Sequence, residues 1–191
     1  MIEFLLSVDY GIFFFLNGNL SNPVFDWFMP LLDKPGPMLL PFVLIWLVQI
    51  YRSKHKRLFI TLLIPITILC VDQSGLFIKK MKLRSRPWIT WGIEEVNHLG
   101  GSGGKQKSFP SNHAANSAAL AVVFAYLLSR YKLYFWTFAG IIMFSRIYIG
   151  VHYPADIVAG AILGTLLALV IIRIFESIPF LDKKKGDVSP P

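Results

Sequence analysis

Cysteine is all but missing: Cys70 stands alone among 191 residues. A single cysteine excludes an internal disulfide and any metal site built from thiolates. Charge is scarce too, at 16% of the chain, against about 25% in soluble domains. What charge there is leans one way, 19 Lys and Arg against 11 Asp and Glu. The basic residues fall in short clusters between apolar runs and never build a long basic face, which argues against a nucleic-acid partner. The N-terminus lacks the basic start of a signal peptide, because Glu3 stands there, and no small-residue cleavage site follows Phe13-Phe14-Phe15-Leu16. That segment is expected to be retained. A nucleotide phosphate loop is missing as well: around Gly100 to Lys105 the first glycine position is Leu99 and Gln106 follows the lysine. The stretch reads as a flexible loop near an entrance. Glu94, Glu95 and His98 are dispersed and lack the clustering of metal ligands.

Apolar residues fill the space that charge leaves, at 54% of the chain, with 15% aromatic. The expected fold is all-α, a polytopic membrane helical bundle of about six spans of roughly 20 residues each, in one domain. Residues 1–176 make that domain and 177–191 a polar cytoplasmic tail. Long apolar runs cover Pro37 to Ile50, Leu58 to Phe77, His113 to Leu128, Leu133 to Ile149 and Ala155 to Phe175. The first element is irregular or interfacial, because Asp9, Gly11 and Asn17-Gly18-Asn19 interrupt it and Asn22-Pro23 opens a second short helix running to Leu32. A broken span and two helices lying on the surface fit it equally. Trp88, Trp91, Trp136 and Tyr153 fit interface anchors.

The basic turns at Arg52 to Arg57 and Arg130 to Lys132, and the tail at Lys183 to Lys185, fall on one side if each run crosses once. By the positive-inside tendency that side is cytoplasmic, with both termini. The loop at 79–112 is basic as well and opposes the rule, unless its cations serve as ligands for an anion. The site would then face the periplasm or exterior.

Three polar clusters sit where apolar runs begin or end: Lys79 with Arg86-Pro87, then Pro110-Ser111-Asn112-His113, then Ser145-Arg146 with His152 and Asp156. Ionisable groups cost roughly 2.5–3.5 kcal/mol each at the centre of a bilayer, so groups gathered at span ends face a common polar site. Phosphoryl transfer needs charge compensation, a nucleophile and a proton for the leaving oxygen. Lys79, Arg86 and Arg146 offer the charge, and the last two can grip phosphate with two parallel N–H bonds. Ser111-Asn112-His113 precedes an Ala-rich helix, whose N-terminus suits an anion. His152 and Asp156 are four apart, with Pro154 in the first helical turn, so Asp156 can fix the tautomer of His152. His113 is left to act as general acid. Asp72, seven residues before Lys79, either pairs with a basic residue of the site or makes a polar contact between helices.

The order Lys79-x6-Arg86-Pro87, Pro110-Ser111-x-His113, Ser145-Arg146-x5-His152-x3-Asp156 resembles the type 2 phosphatidic acid phosphatase family, which includes bacterial lipid diphosphate phosphatases and is related to vanadium haloperoxidases. The resemblance covers residues from about 36 to 176. It implies a six-span bundle in a bacterial cytoplasmic membrane and a metal-independent, cofactor-free transfer through a phosphohistidine. His152 would be the nucleophile, Asp156 its partner and His113 the acid, while Lys79, Arg86, Ser111, Asn112 and Arg146 hold phosphate. Asn112 stands where the family usually has glycine. The implied substrates are undecaprenyl diphosphate, phosphatidylglycerophosphate, phosphatidic acid or lipid A 1-phosphate, with acyl or prenyl chains reaching the site laterally. Taken singly, Lys79, Lys80, Arg84 and Arg86 would be snorkelling interfacial cations. The rival of another class is a non-catalytic protein that binds lipids by their phosphate headgroups.

Overall fold

The computed structural model describes residues 1–100 and 104–181. Among them there is no strand. Eight α-helices follow one another: α1 (Ile2–Phe14), α2 (Pro23–Phe28), α3 (Pro35–Arg52), α4 (Arg57–Lys79), α5 (Pro87–Thr90), α6 (Asn112–Leu127), α7 (Lys132–Tyr148) and α8 (Pro154–Glu176). At 23 residues each, α4 and α8 are about 35 Å long, enough to cross a hydrocarbon core of about 30 Å. These two carry apolar windows with mean hydropathies of 1.8 and 2.5.

The centre of the bundle is α6, packed against α8, α7 and α4, with α3 outside α4. Its small residues make this possible: Ala114, Ala118, Ala119 and Ala121 are fully buried. Facing them on α8 is a stripe spaced by four, Asp156, Gly160 and Gly164. The Asp156 carbonyl accepts from the Ser111 amide at 3.0 Å. A Cβ placed on Gly160 would lie 2.4 Å from the Ser111 carbonyl oxygen, and one on Gly164 would lie 1.9 Å from that of Ala115. Only glycine lets the two backbones approach this closely, the device by which small residues pack helices in membranes. The core beneath holds Phe42, Leu63, Val71, Phe124, Ile142 and Ala168.

Alternation of helix direction sets the polar site at one end of this bundle. The C-termini of α4 and α7 meet the N-termini of α6 and α8 there, while the basic turns at 52–57 and 130–132 occupy the opposite end.

The N-terminal helix is less broken than its composition suggests. Helix α1 continues through a π-helical turn at Phe15–Asn19. The polar triplet does not interrupt it because Asn17, wholly buried, donates to the carbonyls of Asn97 (3.0 Å) and Tyr148 (2.6 Å) and accepts from the Asn97 amide. Contacts from this helix go to the site end, with Tyr10 and Phe13 against Tyr153 and Phe14 against Trp91. Asn22 caps α2 by accepting from the amides of Val24 and Phe25, and a 3-10 turn at Met29–Asp33 leads into α3.

Tyr153, 1% exposed, is therefore a buried ring contact of α1 rather than an interface anchor, while the half-buried Trp91 also packs on α1. Trp88 stacks on His98 with centroids 4.9 Å apart. At the other end packing continues past residue 176, since Leu181 in a final 3-10 turn is buried in the core. The centre of the glycine-rich stretch, residues 101–103, and the basic cluster Lys183 to Lys185 lie outside the described residues.

Candidate active site

Each of the three clusters reaches the site for a local reason. Helix α4 ends on Lys79, which is buried and donates to the main-chain carbonyl of Lys107 at 2.9 Å. Arg86 precedes Pro87, which opens the short α5. Its guanidinium donates through Nε to the Gly104 carbonyl (3.2 Å) and through NH1 to that of Val151 (2.9 Å). Of five N–H donors on an arginine, three remain for a ligand. Burial, then the like charge of Arg146, lowers the pKa of Arg86, which still leaves the group cationic.

Ser111 is the N-cap of α6, accepting from the Ala114 amide at 3.3 Å, so its own O–H proton is free to donate. The side chain of Asn112 turns away toward α4, donating to Asp72 Oδ1 at 2.9 Å. Asn116 donates to the same oxygen at 3.3 Å. Asp72 thus makes an interhelical polar contact, and only the main-chain amide of Asn112 is left for an anion at the helix N-terminus.

Arg146, 1% exposed near the end of α7, uses Nε and NH2 on Ser145 Oγ and NH1 on Asp33 Oδ1. The same Asp33 oxygen lies 4.0 Å from His113 Nε2. A lone acidic residue in the turn before α3 thereby joins two of the three clusters, although no spacing or pattern in the sequence marks it.

His152 follows the tight turn after α7. Gly150 holds φ +75° there, and an added Cβ would meet Val96 at 2.7 Å and the Asn97 carbonyl at 2.9 Å. The amides of Val151 and His152 both donate to the Arg146 carbonyl, at 3.2 and 3.3 Å. His152 Nδ1 then faces Asp156 Oδ2 at 3.5 Å and Ser108 Oγ at 3.4 Å. Ser108, also unmarked by the sequence, donates to Asp156 Oδ2 at 2.6 Å, and the Tyr153 amide donates to that oxygen at 3.0 Å. The second carboxylate oxygen, Oδ1, accepts from Arg84 NH1 at 3.3 Å. Arg84 is thus no snorkelling cation. Burial opposes its charge, but Asp156 and Asp9 outweigh that and raise its pKa.

Burial also pushes the pKa of His152 down to about 3 against the pull of Asp156, and the cations Arg86 and Lys79 add to the lowering. Its ring is neutral at ordinary pH, with a lone pair available for attack. The pocket as a whole pairs a neutral imidazole held by a carboxylate with three cations, a helix N-terminus and a second histidine.

This fold and arrangement are those of a membrane phosphatase class, and the chain belongs to the PAP2 superfamily, which it matches over residues 58–179. Among curated relatives it is similar to the lipid A 4'-phosphatase of Porphyromonas gingivalis, 29% identical over 180 residues that cover 91% of this chain and 75% of the relative. The lipid A 4'-phosphatase of Bacteroides thetaiotaomicron is 32% identical over 174 residues, covering 86% of this chain and 75% of the relative. Among solved structures, Aquifex aeolicus LpxE superposes with a TM-score of 0.70 at 24% identity, covering 87% of this chain and 95% of the other. A PAP2-type phosphatidylglycerolphosphate phosphatase from Bacillus subtilis gives 0.70 at 23%, covering 91% and 87%. These two superpositions establish a shared fold.

Proposed function

We propose that this membrane lipid phosphatase removes a phosphate from a lipid A-type headgroup at the outer face of a bacterial cytoplasmic membrane, without a metal, through a phosphohistidine. The observation that carries the chemistry is His152 held between Asp156 and Ser108, with Lys79 and Arg86 bonded to the carbonyls of Lys107 and Val151, each next in the chain to Ser108 or His152, and with Arg146 and His113 linked through Asp33.

In the first step His152 Nε2 attacks phosphorus while Nδ1–H is held by Asp156, which stabilises the imidazolium that forms. His113 enters this step as the imidazolium, its second ring proton favoured by the anionic substrate bound beside it; the P–O bond to the lipid breaks and His113 gives that proton to the leaving oxygen, ending neutral. In the second step His113 takes a proton from water, whose oxygen attacks phosphorus and returns His152 to the neutral form. Lys79, Arg86 and Arg146, with the Ser111 hydroxyl and the amides at the start of α6, carry the charge on the three phosphoryl oxygens.

Two observations support the substrate. Both curated relatives named above are, by their names, lipid A 4'-phosphatases. The rim of the site adds exposed Lys80, Lys82, Lys105 and Lys107, suited to a lipid with more than one anionic group. Cations retained on this side against the positive-inside tendency support an outward site. Crossings by the longer helices, with α1 lying at the outer interface, fit the contacts of α1.

Phosphate release from a panel of lipid A, polyprenyl diphosphate, phosphatidylglycerophosphate and phosphatidic acid in detergent tests the assignment. Turnover is expected with lipid A and in excess chelator. His152→Ala and His113→Ala should each lose at least about 10²-fold in kcat while remaining folded. Saturable binding without release from any member of the panel would make the protein a headgroup binder and overturn the mechanism. Strict dependence on added magnesium would refute the metal-free route.

A further inference from the structure

We propose that Asp9 and Arg84 are positioning residues for the nucleophile, a charge chain by which the N-terminal helix holds Asp156 in the orientation that His152 needs. The inference rests on the reading of His152 as nucleophile and Asp156 as its partner. Neither residue belongs to the three motif clusters, and Asp9 lies outside the segment that matches the family.

The geometry is a continuous line of contacts. Asp9 is 8% exposed and spends both carboxylate oxygens on the site: Oδ2 accepts from Arg84 NH2 at 2.5 Å, and Oδ1 accepts from the Ala155 amide at 2.7 Å. Ala155 is in the first turn of α8, so this second contact satisfies one of the orphan amides one residue before Asp156. Arg84 turns its other terminal nitrogen to Asp156 Oδ1 at 3.3 Å. Its plane lies over the Tyr153 ring, 3.7 Å from the centroid, which fixes the direction of both donors.

Asp156 is wholly buried. A buried carboxylate without a counter-charge is strongly destabilised and takes up a proton, and a protonated Asp156 no longer favours Nδ1–H on His152. Arg84 supplies that counter-charge from the side away from the imidazole. Left alone, however, a full guanidinium charge would draw the Asp156 carboxylate away from His152 and oppose the cationic phosphohistidine. Asp9 balances it. The alternation Asp9, Arg84, Asp156, His152 keeps the carboxylate both ionised and aimed. Phosphate itself is gripped by other groups, so damage to this chain acts on the chemical step and leaves substrate affinity alone.

The test compares Asp9→Asn, Arg84→Gln and the double variant of the full-length protein in detergent. Asn at position 9 keeps an oxygen for the Ala155 amide while removing the charge, so a folded variant is available even where Arg84→Gln is unstable. Two readouts are taken: kcat and KM for phosphate release, and the 15N spectrum of the His152 imidazole, which reports its tautomer. The expected result is a loss of about 10- to 100-fold in kcat for each single variant with KM within about threefold. The double variant should be no worse than Arg84→Gln alone, because both act through one chain. The ring should change from a single Nδ1–H tautomer to a mixture in all three. Unchanged ring spectra with unchanged kcat, or losses confined to KM, overturn the proposal. Wild-type protein that releases phosphate from no lipid refutes the preceding section instead, and the ring spectra still decide this inference.

Discussion

Replacing Gly164 by alanine is a test of the fold's precision that touches no polar group. The new Cβ would lie 1.9 Å from the Ala115 carbonyl oxygen, 2.7 Å from its carbon and 2.9 Å from its Cα. Ordinary contact begins near 3.4 Å, so the backbones of α6 and α8 must move apart at that level. Relief by a rotamer change is impossible, because every atom met is backbone. Overpacking of this kind costs typically 1–3 kcal/mol. Ser111 caps α6 and His113 lies in its first turn, as Asp156 lies in that of α8. A displacement of 1 Å at reacting groups costs about 10²-fold in rate. Gly164→Ala should therefore lower both the thermal midpoint in detergent and kcat, the latter by about 10²-fold, with Gly160→Ala acting alike. Gly140 on α7 has nothing within 4 Å of its added Cβ, and Gly140→Ala should match wild type or gain up to about 1 kcal/mol from helix propensity. If Gly164→Ala and Gly140→Ala behave identically in both assays, the close approach of α6 and α8 is refuted.

Acid should destabilise the protein through His152, whose pKa falls from 6.5 to about 3 on folding. The unfolded chain binds a proton that the folded one excludes, so stability is full above pH 6.5 and declines by about 1.4 kcal/mol per pH unit toward pH 3. Thermal unfolding against pH should lose that part of its slope in His152→Asn; equal slopes would contradict it. Ser108→Ala removes the hydroxyl that donates to Asp156 at 2.6 Å and should lower kcat roughly tenfold, a loss of about 1.4 kcal/mol; unchanged turnover would show that Ser108 does not orient the carboxylate. Asp72→Ala removes the carboxylate acceptor shared by Asn112 and Asn116, leaving Asn112 only the main-chain carbonyl of residue 72, and should cost about 1–3 kcal/mol of stability. A wild-type melting profile would remove Asp72 from the α4–α6 interface.

Much of the bundle was legible in the chain because apolar runs bounded by charge report helix ends directly. The run from Leu58 to Phe77 becomes a helix from Arg57 to Lys79, and that from Ala155 to Phe175 one from Pro154 to Glu176. Ser111 and Pro154 mark helix starts by chemistry that is local to a few residues. The pocket's partners were not legible in the same way. Asp33, Asp9 and Ser108 act across separations of 113, 75 and 48 residues, and a single polar residue at such distance leaves no period or spacing. One physical hint existed: an acidic side chain at the edge of an apolar run needs a partner, and this chain has a surplus of cations in the loop after α4. Tyr153 misled for the opposite reason, since an aromatic beside a span reads as an anchor until the packing of α1 over it is seen.

The carboxylate of Asp33 rests on Arg146. On the proposed mechanism an incoming phosphate must compete with an anion that the chain carries itself, so small free anions such as released orthophosphate would gain little by lingering there. A substrate tethered by its lipid tail arrives at high local concentration and wins that contest more readily than its product. The built-in carboxylate thus acts, on that mechanism, as a competitor for free phosphate, at a modest loss of grip on the substrate itself.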